Sequence, residues 1–310
     1  MRKNLNTYKI IFLLLLSVQL FSDQTQEMQE WKKTVISNIK KDPTKNKCPL
    51  YERTITTINC NDADYIPKVP IAGKFINHDG LLCQVMHNGV LIAQGCYYEG
   101  PSLYWMTDII YGLKGHHEPQ EEKAFYEVLK CIPKGGKMLE LGSYWAYYSL
   151  WFHKNIPDSE NYLIEGNYQN LCIGFRNFQL NGYVGNFFHG YLGTKTDPLI
   201  MENSGELIVI DEFLDEHSID YLDVLSSDIQ GAEYAMLLGS KQAMKDHRIH
   251  YFFISTHGEA LHLKCIELLK EYDYHIVAEH NLSESYSADG LIVARANSIE
   301  GIDTIEVSKR

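Results

Sequence analysis

Several residues stand where apolar runs break off, and their types could do chemistry together. Glu140, Gly142 and Ser143 lie at and after the end of "KMLEL", Glu165 ends "NYLIE", Asp228 follows "YLDVLSS", and His257 follows "YFFIST". A glycine directly after a strand lets the backbone turn tightly toward a ligand, and the helix beyond it offers free N–H groups. An acid ending the next strand, roughly 20 residues on, suits the paired hydroxyls of a ribose. A carboxylate and an imidazole at neighbouring strand ends, Asp228 and His257, could take a proton from a hydroxyl acceptor. Glu233, in the turn after Asp228, would let the same group hold a divalent metal, yet Asp228 and Glu233 would equally cap a helix N-terminus. The residues are read here without a metal.

These positions need a sheet that brings strand ends to one edge. From His116 onward, apolar strands alternate with helices. Pro119 opens the first helix, and Ala124, Phe125, Val128, Leu129 and Ile132 recur in it at helical spacing. Runs of continuous apolar character between helices mean a sheet covered on both faces, so residues 116–310 read as a doubly wound α/β domain. In such sheets ligands bind beyond the carboxyl ends of the strands, near the point where strand order reverses. Residues 23–115 read as a helix followed by a small β-rich appendage, in which Asn88-Gly89 between two apolar runs signals a hairpin.

Residues 1–22 have a basic start and an apolar run from Ile10 to Phe21, shorter than the roughly 20 residues that span a bilayer. A signal peptide or an uncleaved signal anchor is expected, and with it an exported or membrane-associated protein; a cytoplasmic location is the alternative. The chain has 310 residues, 45% of them hydrophobic and 22% charged, which is globular composition. Its formal net charge of −12 argues against a nucleic-acid partner, which would need an excess of Lys and Arg. Seven cysteines without a C-x-x-C spacing do not make a zinc site. Cys48 with Cys60, or Cys83 with Cys96, could form disulfides on export, while Cys131, Cys172 and Cys265 read as buried.

"MLELGSYWAYYS", "IEGN", "LSSDIQGAE" and "FISTHG", in this order, resemble the FkbM family of S-adenosylmethionine-dependent methyltransferases. The resemblance covers about His116 to Ala294 and is most specific at "DIQGAE". It implies the seven-stranded, Rossmann-like sheet of class I methyltransferases and S-adenosylmethionine as cofactor. The Gly142 turn, with Glu140 and Ser143, would approach the methionine end, Glu165 would take the ribose hydroxyls, and Asp228 would lie near cofactor and acceptor. His257 or Asp228 would be the catalytic base. The acceptor implied is a hydroxyl on a sugar, lipid or secondary metabolite. Four positions depart from the family pattern: Tyr144 replaces a small polar residue, Ala146 a second glycine, Gly166 a common proline, and Ser226 a lysine. Two other readings compete. An NAD-dependent oxidoreductase would also use Glu165, but the full G-x-G-x-x-G is missing. An exported, non-catalytic binding module would suit the signal-like start, since S-adenosylmethionine is made and used inside cells.

Overall fold

The computed structural model describes residues 25–96, 105–194 and 205–310. The signal-like segment, residues 1–22, lies outside the described residues. Among those described, no helix is long and apolar enough to cross a membrane.

Helices α1 (25–41) and α2 (Tyr51–Asn59) precede a three-stranded antiparallel sheet of β1 (Phe75–His78), β2 (Leu81–Val85) and β3 (Leu91–Ala93). The hairpin signal at Asn88-Gly89 falls between β2 and β3, which pair antiparallel. Helix α3 (Trp105–Gly112) follows. This region was expected to be β-rich, but α2 and α3 are helical and pack on each other. Ile58 fills the space that a side chain at Gly112 would need. Their β-branched and aromatic residues favour strands in isolation, and burial along one helical stripe (Thr54, Thr57, Ile58) overrides that preference.

The remainder alternates. In chain order come α4 (Pro119–Leu129), β4 (Lys137–Leu141), α5 (Tyr147–Asn155), β5 (Glu160–Glu165), α6 (Tyr168–Leu180), β6 (Asn186–Leu192), β7 (Glu206–Ile208) and α7 (Ile210–Glu216). There follow β8 (Leu222–Ser227), α8 (Glu233–Leu238), α9 (Lys241–Lys245), β9 (Ile249–Thr256), α10 (Glu259–Glu271), β10 (Tyr274–His280) and β11 (Gly290–Ala296). The sheet has eight strands in the order β10-β11-β9-β8-β4-β5-β6-β7. Without the short edge strand β7 it is the seven-stranded class I methyltransferase arrangement. Strand β11 runs antiparallel to both neighbours, because a short connection from β10 allows only an up-and-down return. All other pairs in this sheet are parallel.

Each central strand sends alternate residues to opposite faces. Met138, Val224 and Phe253 join one core, and Leu139, Leu225 and Phe252 the other. The first core is continuous with the N-terminal part, taking in Ile58, Met86, Ile92 and Ile109 beside Phe125 and Trp151. The hairpin is fastened to α6 by two amides. Asn181 Oδ1 accepts from Leu91 N at 2.9 Å and Asn181 Nδ2 donates to Leu91 O at 2.8 Å. Asn177 Oδ1 accepts from Ala93 N at 3.2 Å. All seven cysteines are free. Cys265 is buried as expected, but Cys131 and Cys172 are exposed. Cys131 lies just past the end of α4, and Cys172 sits outside the stripe of α6 (Leu171, Gly174, Phe178) that faces the sheet.

Gly174 shows how tightly α6 approaches the turn after β4. Alanine is a better helix former by about 1 kcal/mol, yet Gly174→Ala should destabilise the fold by roughly 1–3 kcal/mol. Its Cβ would meet the Tyr144 carbonyl oxygen at 2.7 Å and Ala146 Cβ at 3.3 Å. Urea denaturation checks this, and an unchanged midpoint would mean that the turn can move away.

Candidate active site

Strand order reverses between β4 and β8, since the chain leaves β4 to build β5 and β6 on one side and β8 and β9 on the other. A cleft opens there. Its floor is Glu140, Leu141, Gly142 and Ser143 from β4, Ser226 and Asp228 from β8, and Ser255 from β9. Tyr144, Trp145, Tyr147 and Tyr148 form one wall, and His117, Glu118 and Glu121 from the start of α4 form another.

Gly142 has φ +71°, and a Cβ there would lie 1.9 Å from Asp228 O. Only glycine lets these two strand ends meet, and Asp228 N donates to Leu141 O at 3.0 Å across the junction. The next two departures from the family pattern keep a glycine-like backbone. Tyr144 has φ +37° and Ala146 φ +62°, a left-handed conformation that costs an L-residue roughly 1–2 kcal/mol. The strain is held by outside partners. Glu165 Oε2 accepts from Tyr144 N at 3.0 Å, and Asn177 Nδ2 donates to Trp145 O at 3.0 Å.

Glu165 thus has a use that its strand-end position did not reveal. Its other oxygen, Oε1, accepts from Asn167 N at 2.8 Å, so the carboxylate ties the turn after β4 to the turn after β5. It is nearly buried and does not line the cleft described above. Asp228 and His257 are brought together as expected. His257 Nδ1 lies 2.7 Å from Glu233 Oε1, and His257 Nε2 lies 3.2 Å from Asp228 Oδ1 and 3.5 Å from Asp289 Oδ1. Burial works against a charge on His257, but Asp228 and Glu233 outweigh it and raise its pKa to about 10. The ring therefore carries its second proton at neutral pH, and it stands behind Asp228 rather than on the lining. Asp228 Oδ1 also accepts from Gln230 Nε2 at 2.9 Å.

Sequence reasoning missed the acids on α4 and Asp289. Glu121 is buried, accepts from Ser255 Oγ at 2.8 Å, and is held well above the usual carboxylate range by burial and by the charges of Glu118 and Asp228. The signal was present: Glu121 precedes Phe125 and Leu129 by multiples of four on the buried stripe of α4. Asp289 is raised to about 6 by burial and the neighbouring Glu118. Burial also raises Glu140 to about 7, although Ser149 N donates to its Oε2 at 3.0 Å.

The sequence pattern of the methyltransferase FkbM domain matches residues 17–276. The chain belongs to the FkbM methyltransferase family. It is an S-adenosylmethionine-dependent methyltransferase, and its family match takes in the whole appendage and the sheet through β9 as far as the start of β10. Among solved structures it is similar to M. capricolum TrmK in complex with S-adenosyl-homocysteine, at 20% identity over 59% of this chain and 71% of that one, with a TM-score of 0.38. It is also similar to a precorrin-6y C5,15-methyltransferase from Geobacter metallireducens, at 15% identity over 56% and 88% of the two chains, with a TM-score of 0.40. A ribosomal protein L11 methylase from Lactobacillus delbrueckii subsp. bulgaricus gives 15% identity over 59% and 82%, with a TM-score of 0.40. No curated protein matches the chain.

The cleft fits the FkbM cofactor chemically. Glu118, Glu121, Glu140 and Asp228 with the aromatic wall make a lining for a cation, which is what a sulfonium is. Ser143 Oγ, on the lining and buried, has no hydrogen-bond partner among the described residues and is available to a ligand. The turn after β4 carries one glycine where a dinucleotide fold has the full G-x-G-x-x-G, which tells against the nicotinamide reading.

Two outcomes follow from this geometry. Ala146→Gly should stabilise the protein by roughly 1 kcal/mol by relieving the left-handed alanine, read from urea denaturation; a loss of stability would mean that its Cβ packing outweighs the strain. Glu140 gives a pH dependence. Its folded pKa lies above its unfolded value, so its contribution is fully present below about 4.5 and is lost as pH rises through about 7. Glu140→Gln should flatten the decline in stability between about pH 5 and 8 by roughly 2–3 kcal/mol. Parallel stability curves for the two proteins would place the titration elsewhere.

Proposed function

We propose that this FkbM protein methylates a hydroxyl group on a sugar, lipid or small metabolite. The observation that carries the reading is Asp228. Its Oδ1 is held by Gln230 and lies beside His257, while Oδ2 has no partner among the described residues and the side chain is 43% exposed at the cleft. Bound S-adenosylmethionine supplies a methyl group on a positively charged sulfur that leaves readily. The chain's own residues then have to align the acceptor, exclude water and receive one proton.

In this reading Asp228 Oδ2 takes the hydroxyl proton as the acceptor oxygen attacks. His257, protonated and clamped by Glu233, orients Asp228 and does not act as the base itself. Glu165 serves the ribose while it fixes the Tyr144 and Asn167 turns, and Gly142, Ser143 and Glu140 face the methionine end. The aromatic wall sheds water from the approach. The N-terminal part borders the entrance through Met106, and residues 1–22 would carry the enzyme to a membrane or into the secretory route.

Calorimetric titration of S-adenosylhomocysteine into the full chain tests the first half. Binding is expected, and it should weaken at least about tenfold in Glu165→Gln, which keeps one acceptor oxygen for the turns but loses the charge. A folded wild-type protein that binds nothing would favour the non-catalytic reading. Methyl transfer to a panel of hydroxyl acceptors tests the second half. Asp228→Asn should lower kcat by roughly 10²- to 10⁴-fold while S-adenosylhomocysteine binding is retained. A rate that keeps rising toward about pH 10 and vanishes in His257→Gln would move the base to His257.

A further inference from the structure

The loop between β10 and β11 ends in Asp289, an acid that the methyl-transfer scheme above does not use. Side chains from two helices and from the loop itself hold this segment. Thr57 of α2 donates its hydroxyl hydrogen to Tyr286 O at 2.6 Å, and Gln120 Oε1 of α4 accepts from Tyr286 N at 2.8 Å. Ser285 Oγ accepts from Ala288 N at 3.0 Å. Ala288 nevertheless has φ +135°, a backbone that residues with a side chain rarely adopt. Strain of this kind persists only where the surroundings over-determine the chain, and it gathers at functional sites. Here it stands directly before Asp289.

Asp289 faces two basic side chains. Its Oδ2 lies 3.9 Å from a terminal nitrogen of Arg53, whose guanidinium sits over the Trp105 ring at 4.9 Å from the ring centre. Its Oδ1 lies 3.5 Å from His257 Nε2. Glu233 holds the other side of that ring, Nδ1, at 2.7 Å. The Nε2 hydrogen is left between two carboxylates, Asp228 at 3.2 Å and Asp289 at 3.5 Å. Neither takes it in a well-directed bond: Nε2 is buried with no hydrogen-bond partner among the described residues. One N–H can be given fully to only one acceptor, and the carboxylate that receives it becomes the weaker base.

We propose that Asp289 is a positioning residue for methyl transfer: it draws the His257 Nε2 hydrogen away from Asp228 and so keeps Asp228 free to take the acceptor's proton. The inference rests on the reading of Asp228 as the base. The hydrogen stays on Nε2 throughout, and only its direction changes. The other charged groups around Asp289 are Glu118 before α4, Asp228 after β8 and Arg53 of α2. Burial and the charge of Glu118 raise Asp289 to about 6, so it is charged at neutral pH and neutral below that value. A neutral Asp289 no longer competes for the hydrogen, which then passes to Asp228 and weakens it. Arg53 favours the charged form, so helix α2 of the appendage biases the acid that tunes the base.

The test uses the full chain. In NMR spectra of protein isotope-labelled at the histidine nitrogens, the His257 Nε2 resonance, assigned by its loss in His257→Gln, should move with a midpoint of about pH 6. That movement should vanish in Asp289→Asn, and in Arg53→Gln its midpoint should rise. These spectra need no acceptor. With an acceptor that is turned over, Asp289→Asn should lower kcat about tenfold at neutral pH and lose the rise in kcat through about pH 6 that the wild type shows. KM and S-adenosylhomocysteine binding should stay unchanged, and Asp289→Glu should recover part of the rate. A His257 resonance that moves alike in the wild type and Asp289→Asn would overturn the inference, as would loss of S-adenosylhomocysteine binding in a folded Asp289→Asn. If Asp228→Asn lowers kcat while Asp289→Asn keeps it, Asp289 loses its role and the base stands; if Asp228→Asn keeps full kcat, both readings fall. Should Asp289→Asn not fold, an unmoved midpoint in Arg53→Gln overturns the inference.

Discussion

Where β4 and β8 end side by side, the carbonyl of Asp228 occupies the space that a side chain at residue 142 would need. That contact brings the turn after β4 and the end of β8 within one hydrogen bond of each other, Asp228 N to Leu141 O. The two parts of the site follow from it. The turn leads into α5 and its aromatic wall, and the chain beyond Asp228 leads into Gly231 and Glu233, which fixes His257. Cofactor turn and proton acceptor therefore share one mouth because two backbones touch, and the glycine matters first to the strand junction and then to the ligand.

The cleft is electrostatically expensive in a way the fold does not require. Four carboxylates line it, and Glu121 and Glu140 are pushed upward by their own burial. Replacing buried charges by apolar side chains is commonly neutral or stabilising, so a wall of acids is hard to explain by stability. It is explained by a positively charged ligand. A cation in the cleft offsets the repulsion among these groups, and it does so most for the ligand that places its charge closest to them. His117 serves part of this role within the protein. Although burial works against its charge, Glu118 and Glu122 raise its pKa to about 10.

Much of the architecture is legible in the sequence because continuous apolar runs such as "YLDVLSS" and "LIVARA" have no other stable use than strands covered on both faces. Strand ends are legible for the same reason, which is how Glu140, Gly142, Glu165, Asp228 and His257 come to one region. The protonation of His257 is not legible, since it depends on Asp228 and Glu233 being neighbours in space. The tie from Glu165 to the Tyr144 turn is hidden in the same way. The helices α2 and α3 were hidden by composition, because β-branched and aromatic residues take helical form here to suit a shared core. The acids of α4 looked like an ordinary polar helix start. Their periodicity with Phe125 and Leu129 was the clue that this start is turned inward.

The departures at Tyr144 and Ala146 look damaging in a linear comparison, since both stand where glycine or a small residue would ease the turn. The structure gives a different weighing. Both residues hold positive φ, so the path of the turn is retained although the residues resist it. Such strain persists only where surroundings over-determine the backbone. Here Glu165 holds the Tyr144 amide, Asn177 holds the Trp145 carbonyl, and Gly174 leaves room for both. Asn177 and Asn181 are at the same time the residues that fasten the β2–β3 hairpin to α6. The appendage is thereby coupled to the shape of the turn: remove the hairpin and the amide that holds the Trp145 carbonyl loses its second partner. A turn that depends on three other elements for its conformation is a maintained one, and this is the physical case for an FkbM site that works without its second glycine.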